Sequence, residues 1–506
     1  MKYEFKLENN EFLFGLTAND GIYMPFKAGF ERDLNVWHAG NQAASIIYST
    51  KGRLIYSKLP FKFTMKDGSF EIESTEPIEF KKVGSSMKDA YKYLVENYFI
   101  NTHKIPDIEM FEKPQYNTWI EMPYECTEEK ILKYANEILH NGFPAGVLMI
   151  DDCWCKDYGT WEFDAEKFKD PKGMVDKLHK LGFKVMVWCC PFVSPDSKEF
   201  RKLENLGYLV KNPDGTTFIS HWWNGYSAVY DLSNKDAYKY FQNVLINLQN
   251  NFGIDGFKLD AGDPEYYRND NVFQNSKVIS DQATFLSKLG EDFPLSELRV
   301  GFNNGISPIA NRLRDKNHSW DNEGINTLVM DGISLGLLGY PFLCPDMIGG
   351  GMVSSFETDN FRLDQELFVR YSTLSALFPM MQFSLSPWKV LDEEHLLMVK
   401  KSLDLHEKYK NDIINEVYKT QESGEPLIRH LAYEFGEKFA EVNDEFLLGD
   451  SILVCPMITK GENRKLVVPS SSWIDNNGNI FKEGVYDVTI PLGDILVLRK
   501  LWFIEK

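Results

Sequence analysis

Four stretches of this 506-residue chain share one pattern, in which an apolar run stops abruptly at a carboxylate or at a turn of small residues. They are Met149-Ile150-Asp151-Asp152, Val185 to Pro191, Gly256 to Asp263 and Tyr340 to Asp346. Between them lie segments with helical periodicity, such as Thr127 to His140 and Lys172 to Leu181. Strand, helix, strand alternation of this kind predicts a parallel sheet with crossover helices, and strands that deliver Asp at their C-terminal ends are how a parallel α/β barrel equips its mouth.

The pattern places eight barrel strands near 115 to 120, 146 to 151, 184 to 190, 254 to 260, 298 to 303, 317 to 321, 339 to 345 and 377 to 383. The flanks read differently. Residues 1 to 108 carry short alternating runs broken by Lys51-Gly52 and Asp67-Gly68, which are hairpin signals, and a helix from Ser86 to Asn97 leads out of them. After Lys400 a helical stretch gives way, from Leu427, to short strands with a turn at Asp475 to Asn479. The expected architecture is therefore α/β: a (β/α)8 TIM barrel over 109–400, an N-terminal β-sandwich over 1–108, and a helical linker with a C-terminal β-domain over 401–506.

Length alone argues for more than one core. A net charge of −19 with no basic cluster opposes binding to a phosphate backbone, so no nucleic-acid partner is expected. Seven cysteines without a regular framework read as buried thiols in a reducing compartment. Met1 to Lys6 is charged and alternating where a signal peptide would be apolar, and no run of about 18 apolar residues occurs. The expectation is a soluble, cytoplasmic protein without a membrane partner; homo-oligomerisation is left open.

Asp151, Asp260, Asp346 and Asp321 all fall at or near strand ends, so a barrel gathers them at one mouth. Such a ring suits a metal site or glycoside chemistry. No His-Glu-x-x-His, Cys-x-x-Cys or calcium loop accompanies it, and the nine histidines are scattered, so neither a metal nor another cofactor is expected. Glycoside hydrolysis needs one carboxylate at the anomeric carbon and a second, protonated one at the leaving oxygen.

The segment Phe257-Lys258-Leu259-Asp260-Ala261-Gly262-Asp263 resembles the nucleophile strand of glycoside hydrolase family 31. Phe168 to Val185, Trp222-Trp223-Asn224-Gly225 with Val229-Tyr230-Asp231, Pro345 to Gly350 and Leu447 to Pro456 resemble further family segments in consistent order. Lys258, Trp222 to Gly225, and Met381 to Ser384 before Pro387-Trp388 are similar to a branch of the family that includes α-galactosidase activity. The resemblance implies a retaining, exo-acting α-glycosidase acting on a small oligosaccharide or glycoside, with galactosides ahead of glucosides. A sugar-binding protein that has lost its acid, and a transglycosylase, are the alternatives.

By that resemblance Asp260 is the nucleophile, and Asp321 or, by the commoner family spacing, Glu323 is the acid/base, with Trp320 beside it to keep it protonated. Asp151 or Asp152 grips hydroxyls of the terminal sugar, and Asp346 binds sugar or braces the mouth. Lys258, two residues before Asp260, shares its inward face and can hold it ionised. Trp188, Trp222 and Trp223 are pocket walls or core, and Arg312 and Arg314 orient a carboxylate or face solvent. Gln382 stands where many α-glucosidases of the family carry a sugar-contacting His; it can bond hydroxyls but does not titrate.

Overall fold

The computed structural model describes residues 1–36, 41–357 and 362–501. Its centre is a ring of short parallel strands: β1 (Gln115–Asn117), β2 (Val147–Ile150), β3 (Lys184–Cys189), β4 (Gly256–Leu259), β5 (Ser296–Leu298), β6 (Ala310–Arg312), β7 (Leu343–Cys344) and β8 (Gln382–Phe383). They pair in the order β7-β6-β5-β4-β3-β2-β1-β8, every neighbour parallel. Side-chain and loop contacts bring β7 and β8 together, since the Ile348 amide donates to the Gln382 carbonyl at 2.8 Å and the Gln382 amide reaches Cys344 Sγ at 3.8 Å.

The crossover helices form where local chemistry starts them. Thr127 caps Glu128–His140, and Asp170 caps Pro171–Lys180, whose first-turn proline lacks only an amide that would have no partner there. Each helix buries an apolar stripe, Ile131, Tyr134, Ala135 and Ile138 in the first and Met174, Val175 and Leu178 in the second, as crossovers on a parallel sheet must. At Gly256 an added Cβ would meet the Leu295 carbonyl oxygen at 1.8 Å, so only glycine lets β4 pack beside β5.

Two expected barrel strands are misplaced. The fifth ends at Leu298, and Gly301–Phe302 pairs instead with Gln42 and Ala43 of the N-terminal domain. The sixth is Ala310–Arg312, while 317–321 is loop. The displacement of the sixth has a physical cause. β6 carries two adjacent buried polar residues, Asn311 and Arg312, which groups elsewhere in the chain satisfy: Gln42 donates to Asn311 Oδ1 at 3.0 Å and Arg312 meets Glu297 at 3.1 Å. A strand with such side chains has no apolar signature.

The N-terminal residues build two sheets, one of Lys2–Lys6, Ser69–Ser74, Phe61–Lys66 and Glu31–Asp33, the other centred on Gln42–Ser49. A 31-residue helix, Glu393–Ser423, leads from the barrel to a C-terminal six-stranded sheet and a two-stranded ribbon. After β3 the chain inserts a hairpin, Ile219–Trp222 and Gly225–Val229, paired with Phe192–Val193. Among the described residues no helix is long and apolar enough to cross a membrane.

His430 starts the helix Leu431–Phe435 by accepting the Ala432 amide on Nδ1 at 3.0 Å, which requires an unprotonated nitrogen. Burial pushes its pKa down to about 4. The unfolded chain protonates this ring near its ordinary value of about 6.5, so stability should start to fall below that pH and level off only below the folded value, a loss of about 3 kcal/mol. Urea midpoints measured from pH 7 to 4 should show that slope, and His430→Asn should flatten it.

Candidate active site

The barrel strands end at a cavity of about 390 Å3 lined by Asp151, Asp152, Trp188, Lys258, Asp260, Arg299 and Asp315, with Trp119, Tyr124, Trp223, Tyr266, Met352 to Ser354 and Glu357 also in its wall. Asp260 follows directly on β4. The chain then turns through Ala261 (φ 57°) and Gly262 (φ 80°), both left-handed, and the Ala261 amide donates back to Asp260 Oδ1 at 2.8 Å. A non-glycine residue held there is strained backbone of the kind that fixes a reactive group.

Around Asp260 the charges converge. Arg299 Nε donates to Oδ1 at 3.0 Å, the Trp188 indole donates to Oδ2 at 3.0 Å, and Lys258 Nζ lies 3.8 Å from Oδ2. Burial alone would raise the pKa of this carboxyl; Arg299, Lys258 and Arg312, with the indole bond, outweigh it and hold the group far below the usual carboxylate range. Asp260 is thus a buried carboxylate, held toward its ionised form, that faces a cavity.

Lys258 is paired more closely with Asp151, at 2.7 Å, than with Asp260. Asp152 accepts the Tyr158 hydroxyl on both oxygens at 3.1 Å and the Asn224 amide at 2.7 Å, and burial with the neighbouring Asp151 charge pushes it up to about 6. Removing one partner of a buried pair strands the other. Lys258→Met should therefore cost about 3 to 5 kcal/mol in urea unfolding, and adding Asp151→Asn to it should recover most of that loss.

Asp321 and Glu323 are not in the cavity wall. Asp321 is exposed and accepts from Ser319 and the Glu323 amide, while Glu323 faces solvent and pairs with Arg314 at 2.7 Å. Trp320 donates to Asp364 at 3.0 Å and likewise lies away from Asp260. The carboxylate that β6 does bring to the cavity is Asp315, three residues past the strand end, where it pairs with Arg312 at 2.8 Å and keeps its side chain 27% accessible.

The remaining expected residues divide. Trp188 and Trp223 line the cavity, whereas Trp222 stacks on Phe192 with centroids 4.3 Å apart and donates to Ser227 inside the hairpin. Asp346 sits below the mouth, accepting from Arg312 and from the Lys316 and Gly351 amides, and so ties together the loops that carry Asp315 and Met352. Gln382 is fully buried in the barrel against Glu297 and Gln115. Arg299 and Asp315 had no sequence assignment; the signal for Asp315 was its distance from the true end of β6. Among the described residues no group of three or more His, Cys, Asp or Glu is arranged to hold a metal ion.

A barrel of this topology with paired carboxylates at its mouth defines a class, and comparison with known proteins agrees. The family models for the glycosyl hydrolases family 31 TIM-barrel domain (residues 109–293) and C-terminal domain (residues 424–500) together match more than half of the chain. The chain belongs to glycoside hydrolase family 31. It is similar to the mouse (Mus musculus) myogenesis-regulating glycosidase, 31% identical over 412 residues, covering 79% of this chain and 57% of that protein. An α-glucosidase of Saccharolobus solfataricus is 23% identical, over 84% of this chain and 70% of the enzyme. Among solved structures, a Flavobacterium johnsoniae dextranase complexed with glucose superposes at a TM-score of 0.85 and 19% identity, over 99% of this chain and 66% of that one, which speaks to the fold.

Proposed function

We propose that this chain is a retaining α-glycosidase that removes a terminal α-linked hexose, α-galactosides before α-glucosides. The observation that carries the reading is the meeting, in one cavity, of a carboxylate held ionised by Arg299, Lys258 and Trp188 with a second, Asp315, on the loop after β6. Asp260 attacks the anomeric carbon; its oxygen bonds there as the glycosidic C–O bond breaks, and the leaving oxygen keeps that electron pair and takes the proton of Asp315. Water then attacks the same carbon, gives its proton to Asp315, and the ester bond to Asp260 breaks, returning the pair to the carboxylate. Asp151 and Asp152 accept hydrogen bonds from hydroxyls of the bound sugar.

Among the described residues five carboxylates and two cations line the cavity, and both cations are already engaged by carboxylates. A sugar carrying a sulfonate or phosphate meets net like charge there, which favours neutral hexosides. The galactoside preference rests on the similarity of the Lys258 strand to the galactosidase-containing branch. A cytoplasmic location is part of the proposal, supported by seven unpaired cysteines and tested by fractionation.

A panel of nitrophenyl α-galactoside, α-glucoside, α-xyloside and α-N-acetylgalactosaminide tests the reading. The galactoside should be cleaved fastest, the first product should be the α-anomer by NMR, and an aryl sulfoquinovoside should react about 100-fold more slowly. No turnover of any α-glycoside would sink it, as would a β-anomer as first product.

A further inference from the structure

Asp263 is a carboxylate the proposed chemistry leaves unused. It sits three residues beyond Asp260, is 1% exposed, and among the described residues no group donates a hydrogen bond to either of its oxygens. Its ion-pair partner is Arg299, whose Nη2 lies 3.5 Å from Oδ2 while the Nε of the same guanidinium bonds Asp260 at 3.0 Å. The guanidinium also lies over the Trp223 ring, 5.6 Å from its centroid. One cation is thus shared between the reacting carboxylate and an unreacting one, at a longer distance than a charged hydrogen bond would take.

The charge balance changes during turnover. When Asp260 becomes an ester it loses its negative charge. Lys258 still has Asp151 at 2.7 Å, but Arg299 loses its shortest partner. A buried cation left without a counter-charge is costly, so the state with an esterified Asp260 depends on a second anion within reach of Arg299. Asp263 is placed for that. Burial, and repulsion from Asp260 and Glu265, push its pKa up to about 6 against the pull of Arg299; esterification removes the Asp260 repulsion and makes its ionised form easier to hold.

We propose that Asp263 is a positioning residue for the nucleophile: it draws Arg299 away from Asp260 as the glycosyl bond forms and serves as that cation's counter-charge in the glycosyl-enzyme. This deepens the covalent reading above and rests on it. Without the Asp263 charge, Arg299 holds Asp260 more tightly before attack and after it keeps only the Asp315 charge, which belongs first to Arg312. Formation of the ester slows, and its breakdown, which returns the charge to Asp260, is unimpeded or faster.

The two half-reactions can be read separately with 5-fluoro-α-D-galactosyl fluoride, or its gluco isomer if the nitrophenyl panel favours glucosides. Intact-protein mass spectrometry follows trapping, and recovery of nitrophenyl glycosidase activity after removal of excess reagent follows breakdown. Asp263→Asn should trap about tenfold more slowly, with reactivation equal to or faster than that of the unaltered protein. Asp263→Glu, which keeps the charge, should restore trapping, and Asp263→Ser should behave as Asp263→Asn does, with melting curves confirming that each variant is folded. Equal slowing of both half-reactions, or no change in either, overturns the role of Asp263. If the unaltered protein cleaves aryl glycosides yet is never labelled, the covalent reading itself fails and the inference with it.

Discussion

Asp260→Asn should lower kcat/KM on an activated aryl α-glycoside by about 10^4 to 10^6-fold, the scale seen when a covalent nucleophile is removed. The expectation follows from how the carboxylate is held. Three groups, Arg299, Trp188 and Lys258, keep it ionised at the cavity, and none of them can itself form the ester. The asparagine is nearly isosteric, and each cation keeps another partner, Lys258 with Asp151 and Arg299 with Asp263. The variant should therefore fold and still bind the product monosaccharide, which calorimetry would register. Activity within tenfold of the unaltered protein would overturn the assignment of Asp260.

The second large effect separates Asp315 from the two acidic residues that sequence spacing favours. Asp315→Ala should reduce turnover of a nitrophenyl α-glycoside by about 10^2 to 10^4-fold, the usual contribution of a general acid and base. A dinitrophenyl glycoside, whose leaving oxygen needs little protonation, should lose much less in the first step, leaving breakdown of the ester rate-limiting. External azide should then restore turnover and yield the α-glycosyl azide, because it attacks the same face as water. Asp321→Ala and Glu323→Ala should retain nearly full activity, since Asp321 is exposed and Glu323 pairs with Arg314 outside the cavity. Azide rescue of either one, with Asp315→Ala unaffected by azide, would reverse the assignment.

The contrast between these two carboxylates shows where sequence reading succeeds. Asp260 ends a strand of apolar residues whose alternation also carries Lys258 inward, so both reach the cavity as local pattern implies. Asp315 follows a strand of three residues, two of them polar and buried, whose acceptors and donors lie at Gln42, Glu297 and Asp346. The family resemblance looked for an acidic residue shortly after a Trp, and Trp320 drew the acid/base assignment to Asp321 and Glu323. Trp222 and Trp223 make the same point on a smaller scale. Trp222 ends a hairpin strand and fills the hairpin core against Phe192, Trp223 begins the turn and walls the cavity, and nothing in the dipeptide says which does which.

The amino-acid sequence by itself determined the alternation of strands and helices, the three-part organisation and the carboxylate at the end of β4, because each of these is written in neighbouring residues. Only the tertiary structure decided that Asp315 and not Asp321 or Glu323 lines the cavity, that Arg299 bridges Asp260 and Asp263, and that Gln382 is buried in the barrel instead of reaching the cavity. Those are outcomes of charge pairing between groups far apart in the chain, 39 residues for Arg299 and Asp260 and 85 for Gln382 and Glu297, and a buried charge takes its role from the partner the fold supplies.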